Sequence, residues 1–187
     1  MEKTKSCLII HPKDRSTQFL DVIYKNMENV TLITGGKTKQ EILELIKEHD
    51  RCMFMGHGSP AGLFSVGQFR GTSNAYIIDG FMVNELKKKD NTVFIWCNAD
   101  QFVRQHGLKG FFSGMFISEV GEAYYCGLPG TTQDIVDESN YGFVEMLSEC
   151  IDQPQDVMFK TIKDAYGELA EANPVAYYNH SRLYLSV

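Results

Sequence analysis

Cys52-Met53-Phe54-Met55-Gly56-His57-Gly58 and, further along, Thr92-Val93-Phe94-Ile95-Trp96-Cys97 are the stretches whose reading decides the fold. Each is a short apolar run, stopped by glycine or by a polar side chain, as a strand buried on both faces would be. Working outward, Cys7-Leu8-Ile9-Ile10, closed by His11-Pro12, and Val30-Thr31-Leu32-Ile33, ended by Gly35-Gly36, are two more such runs. Between them the apolar spacing of Phe19, Leu20, Val22 and Ile23 predicts a helix over about 16–26. Thr38-Lys39-Gln40-Glu41 is a capping box, since the Thr hydroxyl and the Glu carboxylate can each satisfy an orphan backbone donor; a helix burying Ile42, Leu43, Leu45 and Ile46 follows. A short helix is expected near 81–88, strand material at 115–118 and 123–126, helices at about 139–151 and 155–172, and a last strand at 183–185. Strands alternating with helices mean an α/β fold with a mostly parallel sheet covered on both faces. No repeat, low-complexity tract or linker divides the chain, so residues 1–187 are expected to form a single domain.

Composition narrows the function classes. The chain has 187 residues, 43% apolar and 22% charged, which suits one globular domain rather than a disordered, collagen-like or coiled-coil protein. Its 18 basic and 24 acidic residues leave a net charge of −6, which argues against a nucleic-acid partner. No apolar run reaches the roughly 20 residues that span a bilayer. The stretch after Met1 is too short for a signal-peptide core and lacks a cleavage site, so a start at Met1 and a cytoplasmic location are expected. Cys7, Cys52, Cys97, Cys126 and Cys150 are odd in number, scattered and without metal-ligand spacing. Neither a disulfide framework, a metal nor another cofactor is expected.

In open α/β sheets the functional loops lie beyond the carboxyl ends of the strands. Here these are 11–16, 35–37, 56–67 and 97–101. His57 and Cys97 each come directly after an apolar strand; if the two strands are neighbours, an imidazole stands near a thiol, the pairing that makes a cysteine nucleophile. Gly58 lets its N–H approach a substrate carbonyl closely, and the Cys97 amide is a second oxyanion donor.

Gly56-His57-Gly58-Ser59, with Gly62-Leu63 after it and a later strand ending in Cys97, resembles the caspase-like cysteine peptidases, the group of caspases, gingipains, separases and CHAT domains. The resemblance covers roughly residues 7–126. It implies a three-layer sandwich of caspase-like type, Cys97 as nucleophile, His57 as general base and acid, Gly58 and the Cys97 amide as oxyanion hole, and neither a metal nor a third catalytic residue. It also implies a short strand pair around 116–126. The flanks of the cysteine depart from the family's usual small residue before and glycine after: here they are Trp96 and Asn98-Ala99-Asp100. By the same resemblance the loop after the first strand helps to form the primary substrate pocket, where Asp14 suits a basic side chain and Lys13 or Arg15 an acidic one. Asp100, Glu119 and Glu122 are further candidates on the cysteine side and tilt the choice toward a basic one.

The expected function is thus a cysteine endopeptidase acting on a peptide or protein, its groove completed, at this size, by a partner or a second copy. The alternative is a catalytically inactive caspase-like binding or signalling module, favoured by Trp96 and Asp100. A flavodoxin-like small-molecule binder at 35–38 is a third option, although Thr31 stands where a P-loop needs its first glycine. Lys87-Lys88-Lys89 is a solvated helix end, and Asp134, Asp137 and Glu138 flank a helix start, where acids are stabilising without a metal.

Overall fold

The computed structural model describes residues 5–72 and 75–187, so residues 1–4, on which the expected start at Met1 falls, lie outside the described residues. The elements run β1 (Cys7–Ile10), a 3-10 turn (Gln18–Leu20), α1 (Asp21–Tyr24), β2 (Val30–Ile33), α2 (Lys39–Glu48), β3 (Arg51–Met55), β4 (Gly58–Ser59), β5 (Gly62–Phe64) and β6 (Tyr76–Ile78). A second 3-10 turn (Gly80–Met82) leads into α3 (Val83–Leu86), then β7 (Thr92–Ile95), α4 (Ala99–His106), β8 (Gly110–Ser113), α5 (Val120–Tyr125), α6 (Gln133–Cys150), α7 (Gln155–Ala170), α8 (Pro174–His180) and β9 (Leu183–Ser186). The main sheet has six strands in the order β2-β1-β3-β7-β8-β9, parallel except for β9, which runs against β8. A small antiparallel sheet, β4-β5-β6, lies beside it.

The period of two along each strand divides the core into two layers. Cys7, Ile9, Met53, Met55, Val93, Ile95 and Phe111 pack against Ile23 of α1, Phe143 and Leu147 of α6 and Ile162 and Tyr166 of α7. Their alternates Leu8, Ile10, Cys52, Phe54, Phe94 and Phe112 pack against Ile42 and Ile46 of α2, Leu86 of α3 and Phe102 of α4. The result is the expected three-layer α/β sandwich. Because both faces are covered, the strand residues are apolar in unbroken runs, and this is why they read so clearly in the sequence.

Local chemistry explains the starts and stops. Thr38 and Glu41 form the expected capping box: the Glu41 N–H donates to Thr38 Oγ1 at 3.3 Å, and Glu41 Oε2 accepts the Thr38 N–H at 2.8 Å. The helix expected over 16–26 is shorter, a 3-10 turn followed by α1, because the loop before it is occupied by side-chain bonds of Asp14 and Ser16. The strand pair expected around 116–126 is not formed. Glu122 Oε2 accepts the N–H groups of Ser118 (2.7 Å) and Glu119 (3.1 Å), a cap that starts α5 and leaves Cys126 as its C-cap. Ile117 is held instead by Asn179, whose Oδ1 accepts its N–H at 2.7 Å and whose Nδ2 donates to its carbonyl at 2.9 Å. A side-chain amide thus does the work of a neighbouring strand.

Directly beyond β1, His11 is only 4% exposed. One edge of its ring meets the Tyr24 hydroxyl (Nδ1, 2.9 Å) and Asp21 (Nδ1, 3.2 Å), the other the Thr17 hydroxyl (Nε2, 3.2 Å). Burial lowers its affinity for a proton below the ordinary value of 6.5, against the pull of Asp21. The unfolded chain therefore takes up this proton first as pH falls. The stability that neutral His11 contributes is complete above about pH 6.5 and is lost below it, at up to about 1.4 kcal/mol per pH unit. A thermal-denaturation series should show that slope in the wild type and a shallower one in His11→Gln.

Candidate functional site

Met55 and Ile95 are register partners across the parallel pair β3 and β7. His57 and Cys97 each stand two residues further on, so both emerge at the carboxyl edge of the sheet on the α6 side. They line one crevice of about 20 Å³ together with Thr17, Leu20, Ile95 and Phe116. That is about the space one water needs.

No hydrogen bond joins the two side chains among the described residues. The Cys97 thiol donates to the Phe116 carbonyl at 3.4 Å and lies 3.8 Å from Glu122 Oε1. Burial pushes it up to about 12, and the Glu122 carboxylate adds to the shift. At neutral pH it is a thiol, not a thiolate. Directly after it, Asn98 takes a left-handed conformation (φ 66°), which asparagine tolerates better than most residues, and turns the chain from β7 into α4.

His57 is held from the loop after β1. Its Nε2 lies 2.6 Å from Ser16 Oγ and 3.5 Å from Asp14 Oδ1. Ser16 in turn donates both its hydroxyl (2.5 Å) and its N–H (2.9 Å) to Asp14 Oδ1. The Ser16 hydroxyl foremost, with smaller help from His57, holds the Asp14 carboxyl below the usual carboxylate range. Asp14, expected in the substrate pocket, is therefore engaged with Ser16 and His57. Ser16 was not among the expected site residues, although Asp-x-Ser after a strand is the pattern of a side-chain-closed turn.

Gly58 sits on β4, in a hairpin closed by Ser59-Pro60-Ala61-Gly62. The His57 carbonyl accepts the Phe64 N–H at 2.8 Å, and the alternation of an antiparallel pair then turns the Gly58 N–H away from β5, toward the open edge. Trp96 packs beneath this hairpin. Its indole N–H donates to the Ser59 carbonyl at 3.0 Å, and a Cβ on residue 58 would stand 2.2 Å from its Cδ1. The bulky residue before Cys97 thus supports the His-Gly turn from below. Trp96→Phe removes that hydrogen bond and should cost about 1 kcal/mol of stability, read as a lower denaturant midpoint at unchanged slope.

A groove of about 1450 Å³ lies beside the crevice and shares Phe19 and Ser118 with it. Lys13, Asp14, Arg15, Ser16, Glu119, Asp137 and Tyr141 are among its walls, so both signs of charge face it. Asp100 lines neither space. It lies in the first turn of α4, with Oδ1 3.5 Å from where a Gly114 Cβ would be. Glu122 is engaged with Ser118 and Cys97. At 35–38 the Gly36 N–H is already given to the Gln68 carbonyl (2.8 Å) and the Thr38 N–H to Glu41. Among the described residues no three His, Cys, Asp or Glu side chains cluster so as to hold a metal ion, and no helix is long and apolar enough to cross a membrane. The chain matches no family model and no curated protein.

Proposed function

We propose that this protein is a caspase-like cysteine endopeptidase in which His57 and Cys97 form the catalytic dyad. The observation that carries the reading is their placement at equal offset beyond adjacent parallel strands, on one shared crevice beside a groove of about 1450 Å³. The peptide lies in the groove with its scissile carbonyl at the crevice. His57 takes the Cys97 Sγ proton as sulfur attacks the carbonyl carbon, because the resting group is a thiol and the proton must leave during attack. The N–H groups of Gly58 and Cys97 receive the oxyanion. His57 returns the proton to the departing amine, and water, deprotonated by His57, releases the acid from the thioester. Cys97 must exchange its Phe116 bond for this task; catalytic contacts of resting enzymes are often loose and tighten on the substrate.

The test is a mixture of peptides of varied sequence incubated with the full chain, with new termini identified by mass spectrometry. Cleavage by the wild type that Cys97→Ala lacks supports the reading; intact peptides overturn it. A second reading, an inactive module that binds peptides in the groove, is favoured by the Cys97 thiol being turned to Phe116 and Glu122. It predicts retention of peptides with no new termini.

A further inference from the structure

We infer that Ser16 is a positioning residue: together with Asp14 it forms a hydrogen-bond chain that fixes His57 as the Nε2–H tautomer and leaves Nδ1 as the only proton acceptor of the ring. The argument is a count of protons. Three atoms stand in a row, Asp14 Oδ1, Ser16 Oγ and His57 Nε2, at 2.5 Å and 2.6 Å. Ser16 has one hydroxyl proton to give. An ionised carboxylate offers acceptors only, so a hydroxyl 2.5 Å away must point its proton there; pointed at His57, it would leave two lone pairs facing each other at that distance. The carboxylate is held in place for this by the Ser16 N–H, which closes the turn at 2.9 Å. The ionised state of Asp14 agrees with its lowered proton affinity.

With its proton committed to Asp14, Ser16 Oγ can only accept from His57, and Nε2 must be the protonated nitrogen. Asp14 Oδ1, itself 3.5 Å from Nε2, pulls in the same direction. Nδ1 is then the nitrogen with a free lone pair. On the reading of His57 as the base, a proton passes from Cys97 Sγ to Nδ1 and from Nδ1 to the departing amine. The Nε2 proton stays in place throughout, and the Asp14 carboxylate stabilises the transient imidazolium through Ser16. Asp14, on the wall of the groove, acts on the histidine through Ser16.

The test is an imidazole 15N spectrum of the full chain at mildly alkaline pH, with His57 assigned by the resonances that vanish in His57→Gln. A pyrrole-type Nε2 and a pyridine-type Nδ1 are expected for His57 in the wild type and in Ser16→Thr, which keeps the hydroxyl. Ser16→Ala, and independently Asp14→Asn, whose amide no longer dictates the hydroxyl direction, should raise the Nδ1–H population several-fold. A protonated Nδ1 in the wild type overturns the inference, and so does a tautomer unmoved by both substitutions. The spectrum needs no substrate, so a protein that cleaves nothing yet shows the fixed tautomer would defeat the peptidase reading while leaving this one standing.

Discussion

Cys97→Ala is expected to reduce peptide cleavage by about 10⁴-fold or more, His57→Ala by a comparable amount, and the double variant by little beyond either single one. Nucleophile and base work as one unit, so removing the second member after the first takes away almost nothing more. The steady-state rate on any peptide cleaved by the wild type checks this. If the two losses instead multiply, the side chains act independently and the dyad is wrong. The comparison has a structural advantage here. Neither side chain donates to the other at rest, and Cys97 is bonded to Phe116 whereas His57 is bonded to Ser16, so each alanine leaves the partner's resting contacts in place.

The largest expected effect on stability belongs to Gly58→Ala. The new methyl group would meet Trp96 Cδ1 at 2.2 Å, Trp96 Cγ at 2.6 Å and the Gly62 carbonyl oxygen at 2.6 Å. Two of these atoms belong to a fully buried indole and the third to backbone, so none is a flexible side-chain end that can swing aside. Overpacking of a dense core costs about 1–3 kcal/mol, and this site lies at or above the top of that range. Denaturant melts should show it, beside Gly121→Ala, where nothing lies within 4 Å, as a control expected to stay within about 0.5 kcal/mol. A Gly58→Ala protein as stable as the wild type would mean that the hairpin does not rest on Trp96 as described. The same clash would lift the His57 turn off its support, so the variant should also lose Cys97 reactivity.

What was legible in the sequence follows from which forces were local. The inner strands β1, β3 and β7 are covered on both faces, and their unbroken apolar runs left no other reading. The α2 capping box is a contact between residues three apart and was equally plain. The segment 115–126 failed because its partners are remote: Asn179 on α8 satisfies Ile117, and Asn140 on α6 donates to the Ser118 carbonyl at 2.9 Å. Apolar and aromatic residues there resembled a strand, while the acids Glu119 and Glu122 were in fact building a helix start. β8 was missed for a related reason. Gly110-Phe111-Phe112-Ser113 is short and bounded by glycine, and only its place between β7 and β9 makes it a strand.

The site divides in the same way. His57 and Cys97 were visible because each follows a strand that could be recognised by itself, and the parallel register then brings them to one crevice. Gly58 was visible as part of the same turn. Asp14 was placed on the correct loop, but the side to which its carboxylate turns depends on Ser16 and on His57, a residue 41 positions from Ser16. Asp100 stood near Cys97 in sequence, yet the first turn of α4 carries it toward Gly114 instead. Closeness along the chain was a poor guide on the helical side of Cys97 and a good one on the strand side.

The most direct test of the dyad is the alkylation rate of each cysteine against pH, resolved by peptide mapping, in the wild type and in His57→Ala. Burial holds Cys97 up at about 12, so its unaided reactivity near neutral pH should be as low as that of buried Cys52, likewise about 12. The dyad predicts an added component at Cys97 near neutral pH that disappears in His57→Ala and has no counterpart at Cys7, Cys52 or Cys150. A Cys97 that reacts at the same rate with and without the His57 imidazole would contradict it.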